Sequence, residues 1–84
     1  MTNNSVVNSL IIVQYPKGGE LTLRQKDLRS VQLNEDMSIF YRGDDYYGYL
    51  FIEPEDEQRV YNLLVKILRQ PLNHDILIKA CIRR

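Results

Sequence analysis

Apolar and polar positions alternate in short runs as far as Glu53, and after Pro54 the apolar positions recur at three- and four-residue spacing. Val6 to Tyr15 is rich in β-branched residues and reads as one strand, ended by Pro16-Lys17-Gly18-Gly19. Gly takes positive φ without steric cost, so Pro followed by Gly-Gly marks a turn. Leu21-Thr22-Leu23 alternates as a half-buried strand does, which makes a first hairpin. Gln25 to Arg29 reads as a turn, and Val31-Gln32-Leu33 as a third short strand.

Met37–Arg42 and Tyr46–Glu53 flank Gly43-Asp44-Asp45 with aromatic and β-branched residues, the pattern of a hairpin. Closure at Asp44-Asp45 pairs Ile39 with Leu50, Met37 with Ile52 and Tyr41 with Gly48 on one face. The other face then carries Phe40 opposite Tyr49, Ser38 opposite Phe51 and Arg42 opposite Tyr47. A slip of one residue would exchange the two faces, so this register is a definite expectation.

Pro54 suits the first position of a helix, where its missing N–H is not needed. Glu55, Asp56 and Glu57 set negative charge against the positive end of the helix dipole. Val60, Leu63, Leu64, Ile67 and Leu68 form one apolar stripe, Glu55 and Arg59 stand at i,i+4, and Pro71 stops the helix after Gln70. The tail from 75 to 84 is open between two forms. Ile76, Ile78, Ala80 and Ile82 alternate as in a strand, whereas Asn73 or Asp75 would cap a short second helix. These elements predict an α+β fold: an antiparallel sheet of four to five strands with the 54–70 helix packed on one face.

Eighty-four residues allow one domain, spanning 1–84 with residues 1–5 expected to be disordered. A chain of this size buries only about 60% of its unfolded surface, so a partner or a second copy would help it. Its longest wholly apolar run, Leu10-Ile11-Ile12-Val13, is far short of the ~20 residues of a membrane helix. The polar start lacks the basic segment of a signal peptide, and one cysteine forms no internal bridge. Together these predict a cytoplasmic protein with no membrane contact.

Enzymatic chemistry finds little to work with. The single histidine, His74, would have to reach the single cysteine, Cys81, to form a nucleophilic pair. A turn histidine and a small apolar cysteine explain both residues more simply. Glu35-Asp36, Asp44-Asp45 and Glu55-Asp56-Glu57 lack the alternating ligand spacing of a calcium loop, and Gly18-Gly19 is not a phosphate loop. No catalytic residue, metal site or cofactor is expected.

The formal charge is zero, but it is not evenly spread. Residues 1–34 carry +2, residues 35–57 carry eight acids against Arg42 for −7, and residues 58–84 carry +5. Six of the eight aromatics, Phe40, Tyr41, Tyr46, Tyr47, Tyr49 and Phe51, fall in that acidic block. A helix covers only one face of the hairpin, so Phe40, Tyr47, Tyr49 and Phe51 stand out on the other face unless the tail or first hairpin folds over it. The Tyr46-Tyr47 tip beside Asp44 and Asp45 is exposed in either case. Tyrosine brings large contact area with a polar tip, which suits an interface.

The expected function is therefore a non-enzymatic protein-binding module, acting as an inhibitor or regulator through Phe40, Asp44, Asp45, Tyr46, Tyr47, Tyr49 and Phe51. Its partner is a protein with a basic surface. Small phage or mobile-element inhibitors and antitoxins act in this manner. Two alternatives stand beside it. One is nucleic-acid binding through Lys66, Arg69, Lys79, Arg83 and Arg84, which the acidic block opposes. The other is a self-associating structural subunit, a homodimer whose seam is the aromatic face.

Overall fold

The computed structural model describes residues 8–36 and 38–81. The expectations for residues 1–5, for the Met37–Ile52 pair and for Arg83 and Arg84 fall outside them. Strand β1 (Leu10–Gln14) turns back into β2 (Glu20–Arg24), with Leu10 opposite Arg24 and Gln14 opposite Glu20. Tyr15 N–H donates to the Gly19 carbonyl (2.8 Å) and Gly18 N–H to the Tyr15 carbonyl (3.0 Å). Gly18 sits at φ +95°, where a side chain would be strained.

A 3₁₀ turn at Gln25–Asp27 leads into β3 (Leu28–Leu33), followed by β4 (Ser38–Gly43) and β5 (Tyr47–Phe51) as an antiparallel meander. The β4–β5 register is the one the sequence predicts: Ser38 with Phe51, Ile39 with Leu50, Phe40 with Tyr49, Tyr41 with Gly48 and Arg42 with Tyr47. A second 3₁₀ turn, Pro54–Asp56, delays the α-helix, so α1 runs Glu57–Arg69 rather than from Pro54. Val60, Leu64 and Ile67 are buried and Leu63 and Leu68 half-buried, as the stripe requires. Arg59 pairs with Asp56 (3.3 Å, i,i+3), whereas the sequence placed it beside Glu55.

The tail is a strand, β6 (Ile76–Lys79), with Ile76, Ile78 and Ala80 buried and Leu77 and Lys79 exposed. It lies parallel to β1, Ile11 beside Ile76 and Gln14 beside Lys79. The expectation of one antiparallel sheet of four to five strands is corrected here: six strands form two three-stranded sheets, β2-β1-β6 and β3-β4-β5. The division follows from two local causes. The 3₁₀ turn at Gln25 takes the chain out of the first sheet, and α1 supplies the crossover that a parallel β6 needs. Just past β6, Cys81 N–H donates to the Phe51 carbonyl (2.6 Å) and links the two sheets. Inner residues of both sheets share a single core with α1, built on Ile11, Val13, Ile39, Leu50, Ile52, Leu64 and Ile67.

Gln25 sits where the pieces meet, with no surface exposed. Its amide donates to the Leu10 carbonyl (3.1 Å) and the His74 carbonyl (2.9 Å). Its own oxygen accepts the Leu72 N–H (2.7 Å). One side chain thus completes the backbone bonding of the start of β1 and of the loop that feeds β6. Among the described residues no helix is long and apolar enough to cross a membrane.

Candidate functional site

Side chains alternate across β3, β4 and β5, so each strand divides its residues between core and surface. Ile39, Tyr41 and Leu50 point into the core with α1. Gln32, Phe40 and Tyr49 form one cross-strand row on the opposite face, and Ser30, Arg42 and Tyr47 form the next. Tyr47 is 75% exposed and Tyr49 55%. Phe40 is half-buried between them, its ring centroid 5.1 Å from Tyr49 and 6.4 Å from Tyr47, both tilted. Phe51 continues the row and is half-buried. Tilted rings at these distances attract one another, so the exposed aromatics are held as a unit rather than as separate side chains.

Tyr46 departs from expectation. The sequence puts it at an exposed tip with Tyr47, yet it folds inward, its ring packed on Gly43 where any Cβ would collide with it. Its ring centroid lies 6.1 Å from that of Tyr41, and among the described residues its buried hydroxyl has no hydrogen-bond partner. Burial pushes the Tyr46 phenol pKa up, the negative charges of Asp27 and Asp44 and the neighbouring Tyr41 add to this, and Arg29 opposes it. Tyr41 is raised too, first by its burial and then by Tyr15. Tyr46 therefore belongs to the support of the hairpin, not to its contact surface.

Asp44 is also partly committed. Arg29 bridges it through Nε (2.9 Å) and Nη2 (3.0 Å), so its charge is matched within the chain. Asp45 is exposed and makes no ion pair among the described residues. At the other end of the meander, Asp36 accepts the Ser38 N–H (3.1 Å) and hydroxyl (2.6 Å), which fixes the β3–β4 turn. There Gln32, Leu33, Asn34, Glu35, Asp36 and Tyr49 line an open cleft of about 630 Å³. The aromatic face is thus bounded by acids at both ends, Glu35 and Asp36 at one and Asp45 at the other.

The alternative basic surface is divided. Lys66 and Arg69 come together with Leu72 and Asn73 in a cleft at the C-terminus of α1. Lys79 lies instead beside Glu53, Asp56 and Cys81 at the other end of the helix. His74 and Cys81 flank β6, and seven residues of chain at ~3.3 Å each separate them by on the order of 20 Å, which excludes a hydrogen-bonded pair. Among the described residues no three His, Cys, Asp or Glu side chains are grouped to hold a metal ion.

Sequence reasoning left Gln32 out of the face. Its signal was present: Gln32 is polar between Val31 and Leu33, and it stands opposite Phe40. No protein-family model matches the chain, and neither curated proteins nor solved structures give a match.

Proposed function

We propose that this chain is a non-enzymatic binding module that docks the outer face of β3-β4-β5 on a basic surface of another protein. One observation carries the proposal: Tyr47 and Tyr49 stand 75% and 55% exposed around Phe40, with acids at each end of the face. Large rings left in water are the usual mark of an interaction surface. The charge around them favours a partner rich in Lys and Arg and speeds its approach. Where that basic surface is itself a nucleic-acid site, occupying it makes this chain an inhibitor.

The test uses immobilised wild type beside Tyr47→Ala/Tyr49→Ala and Asp45→Lys. Proteins retained by wild type, released by moderate salt and lost from both variants support the proposal, provided circular dichroism shows the variants folded. Equal retention by the variants refutes it. Retention abolished by nuclease points to nucleic acid instead. A concentration-dependent dimer that the tyrosine variant loses assigns the face to a second copy.

A further inference from the structure

The register of β4 and β5 also fixes which backbone groups face away from the sheet. Gly43 N–H donates to the Tyr46 carbonyl (2.8 Å), which makes Gly43 and Tyr46 a hydrogen-bonded pair. In an antiparallel ladder such pairs alternate with non-bonded ones. Tyr41–Gly48 and Ile39–Leu50 are therefore bonded pairs, while Arg42–Tyr47, Phe40–Tyr49 and Ser38–Phe51 are not. It follows that Tyr47, Tyr49 and Phe51 turn their N–H and C=O groups to the outer edge of the sheet, for β5 is an edge strand. The Cys81–Phe51 bond agrees, since it reaches the Phe51 carbonyl from that side. Among the described residues nothing bonds the outward groups of Tyr47 and Tyr49.

Resting on the proposed function, we infer that β5 receives its partner by strand addition: an extended, Lys- and Arg-bearing segment pairs with the backbone of Tyr47 and Tyr49. Two observations beyond the free edge support this. The edge already accepts a backbone N–H, from Cys81 at Phe51, so a backbone donor can reach it from outside the sheet. The rings of Tyr47 and Tyr49 and the acid Asp45, just before β5, lie beside that slot, where alternate side chains of the added strand would lie. Backbone pairing supplies affinity and these side chains supply the choice of partner.

A second copy of the chain suits the slot less well. Two-fold pairing about Gly48 sets Tyr47 of one copy against Tyr49 of the other, and hence Asp45 against Phe51. That place is held by Cys81, and Glu53 brings a like charge beside it. A basic strand beside Tyr47 and Tyr49 that ends before Phe51 avoids Cys81, and its charge is opposite to that of Asp45 and Glu53.

The probe is a capped peptide, Arg-Arg-Thr-Val-Thr-Val-Arg-Arg, titrated to millimolar concentration into the isotope-labelled chain. Its counterpart is N-methylated at alternate residues, which removes the donors on one edge. Strand addition predicts slowed amide exchange at Tyr47 and Tyr49, shifted ring signals, and binding weakened about tenfold or more by methylation. Equal binding of both peptides, with ring shifts but unprotected amides, overturns strand addition and leaves face docking standing. No shift in either set overturns both. In the protein, Tyr49→Pro is compared with Tyr49→Val, since both lose the ring and only Pro loses the outward N–H. Weaker binding by Pro than by Val supports the edge bond, and equal binding opposes it.

Discussion

Replacing Gln25 by Ala strips three backbone partners at once: the Leu10 carbonyl, the His74 carbonyl and the Leu72 N–H. The Leu72 N–H is the worst placed, because it gives its one proton to the Gln25 oxygen (2.7 Å), whereas a carbonyl can accept from another donor. A buried group left unsatisfied costs about 1–3 kcal/mol, and the vacated volume adds to that. Water entering the space recovers part of it, so the expected loss is about 3–5 kcal/mol. A chain of this size has on the order of 4–13 kcal/mol in all. Urea unfolding followed by far-ultraviolet circular dichroism should then show the midpoint falling by about 2 M or more, for an m-value of about 1–1.5 kcal/mol/M. Gln25→Leu is the decisive control, since it keeps most of the volume and none of the bonds. If Leu holds stability to within about 1 kcal/mol of wild type, the cavity and not the hydrogen bonding carries the effect, and the account given for Gln25 is wrong.

Four further outcomes are expected. Tyr46→Phe removes a buried hydroxyl that has no partner, and should be neutral or stabilising by up to about 1 kcal/mol in the same urea assay. Tyr41 and Tyr46 both have folded-state phenol pKa values above their unfolded value, so their contribution is complete below pH ~10 and is lost as pH rises beyond it. Thermal melts from pH 9 to 11 should show that decline, and Tyr46→Phe should soften it. Gly48→Ala drives a methyl into the Tyr41 hydroxyl and should cost about 1–3 kcal/mol by displacing that ring, with loss of the near-ultraviolet tyrosine signal as the check. Arg29→Met breaks a half-exposed bridge to Asp44 and should cost less than about 1 kcal/mol, less still in 1 M salt.

The hairpin and helix were legible in the sequence because each rests on local chemistry. Gly43-Asp44-Asp45 fixes the loop, and period-two alternation then fixes every pair from Ser38–Phe51 to Arg42–Tyr47. Pro54 and Pro71 bracket α1, although the first turn is 3₁₀, because nothing in the pattern separates that turn from an α start. What escaped depends on distance along the chain. Gln25 reads as an ordinary polar turn residue until Leu72 and His74 arrive from 47 and 49 positions away. The division into two sheets escaped for the same reason, since nothing near Ile76 names β1 as its partner. At the site, Tyr47 and Tyr49 were placed by alternation alone. Tyr46 was misplaced because a short tip normally leaves its residues in water, and only the space over Gly43 lets the ring turn in.

The parallel pairing of β1 with β6 has a consequence for how the chain is made. Ile11 must find Ile76, and Leu10 N–H must find the Asp75 carboxylate 65 positions later (2.8 Å). The meander β3-β4-β5 closes on neighbours, so it is expected to form early, whereas the central strand of the other sheet waits for a partner 65 positions further along the chain. Until β6 docks, one side of β1 is an edge open to pairing with the wrong chain. β1 is therefore the strand whose surroundings are completed last, and the segment that depends most on the prompt docking of β6.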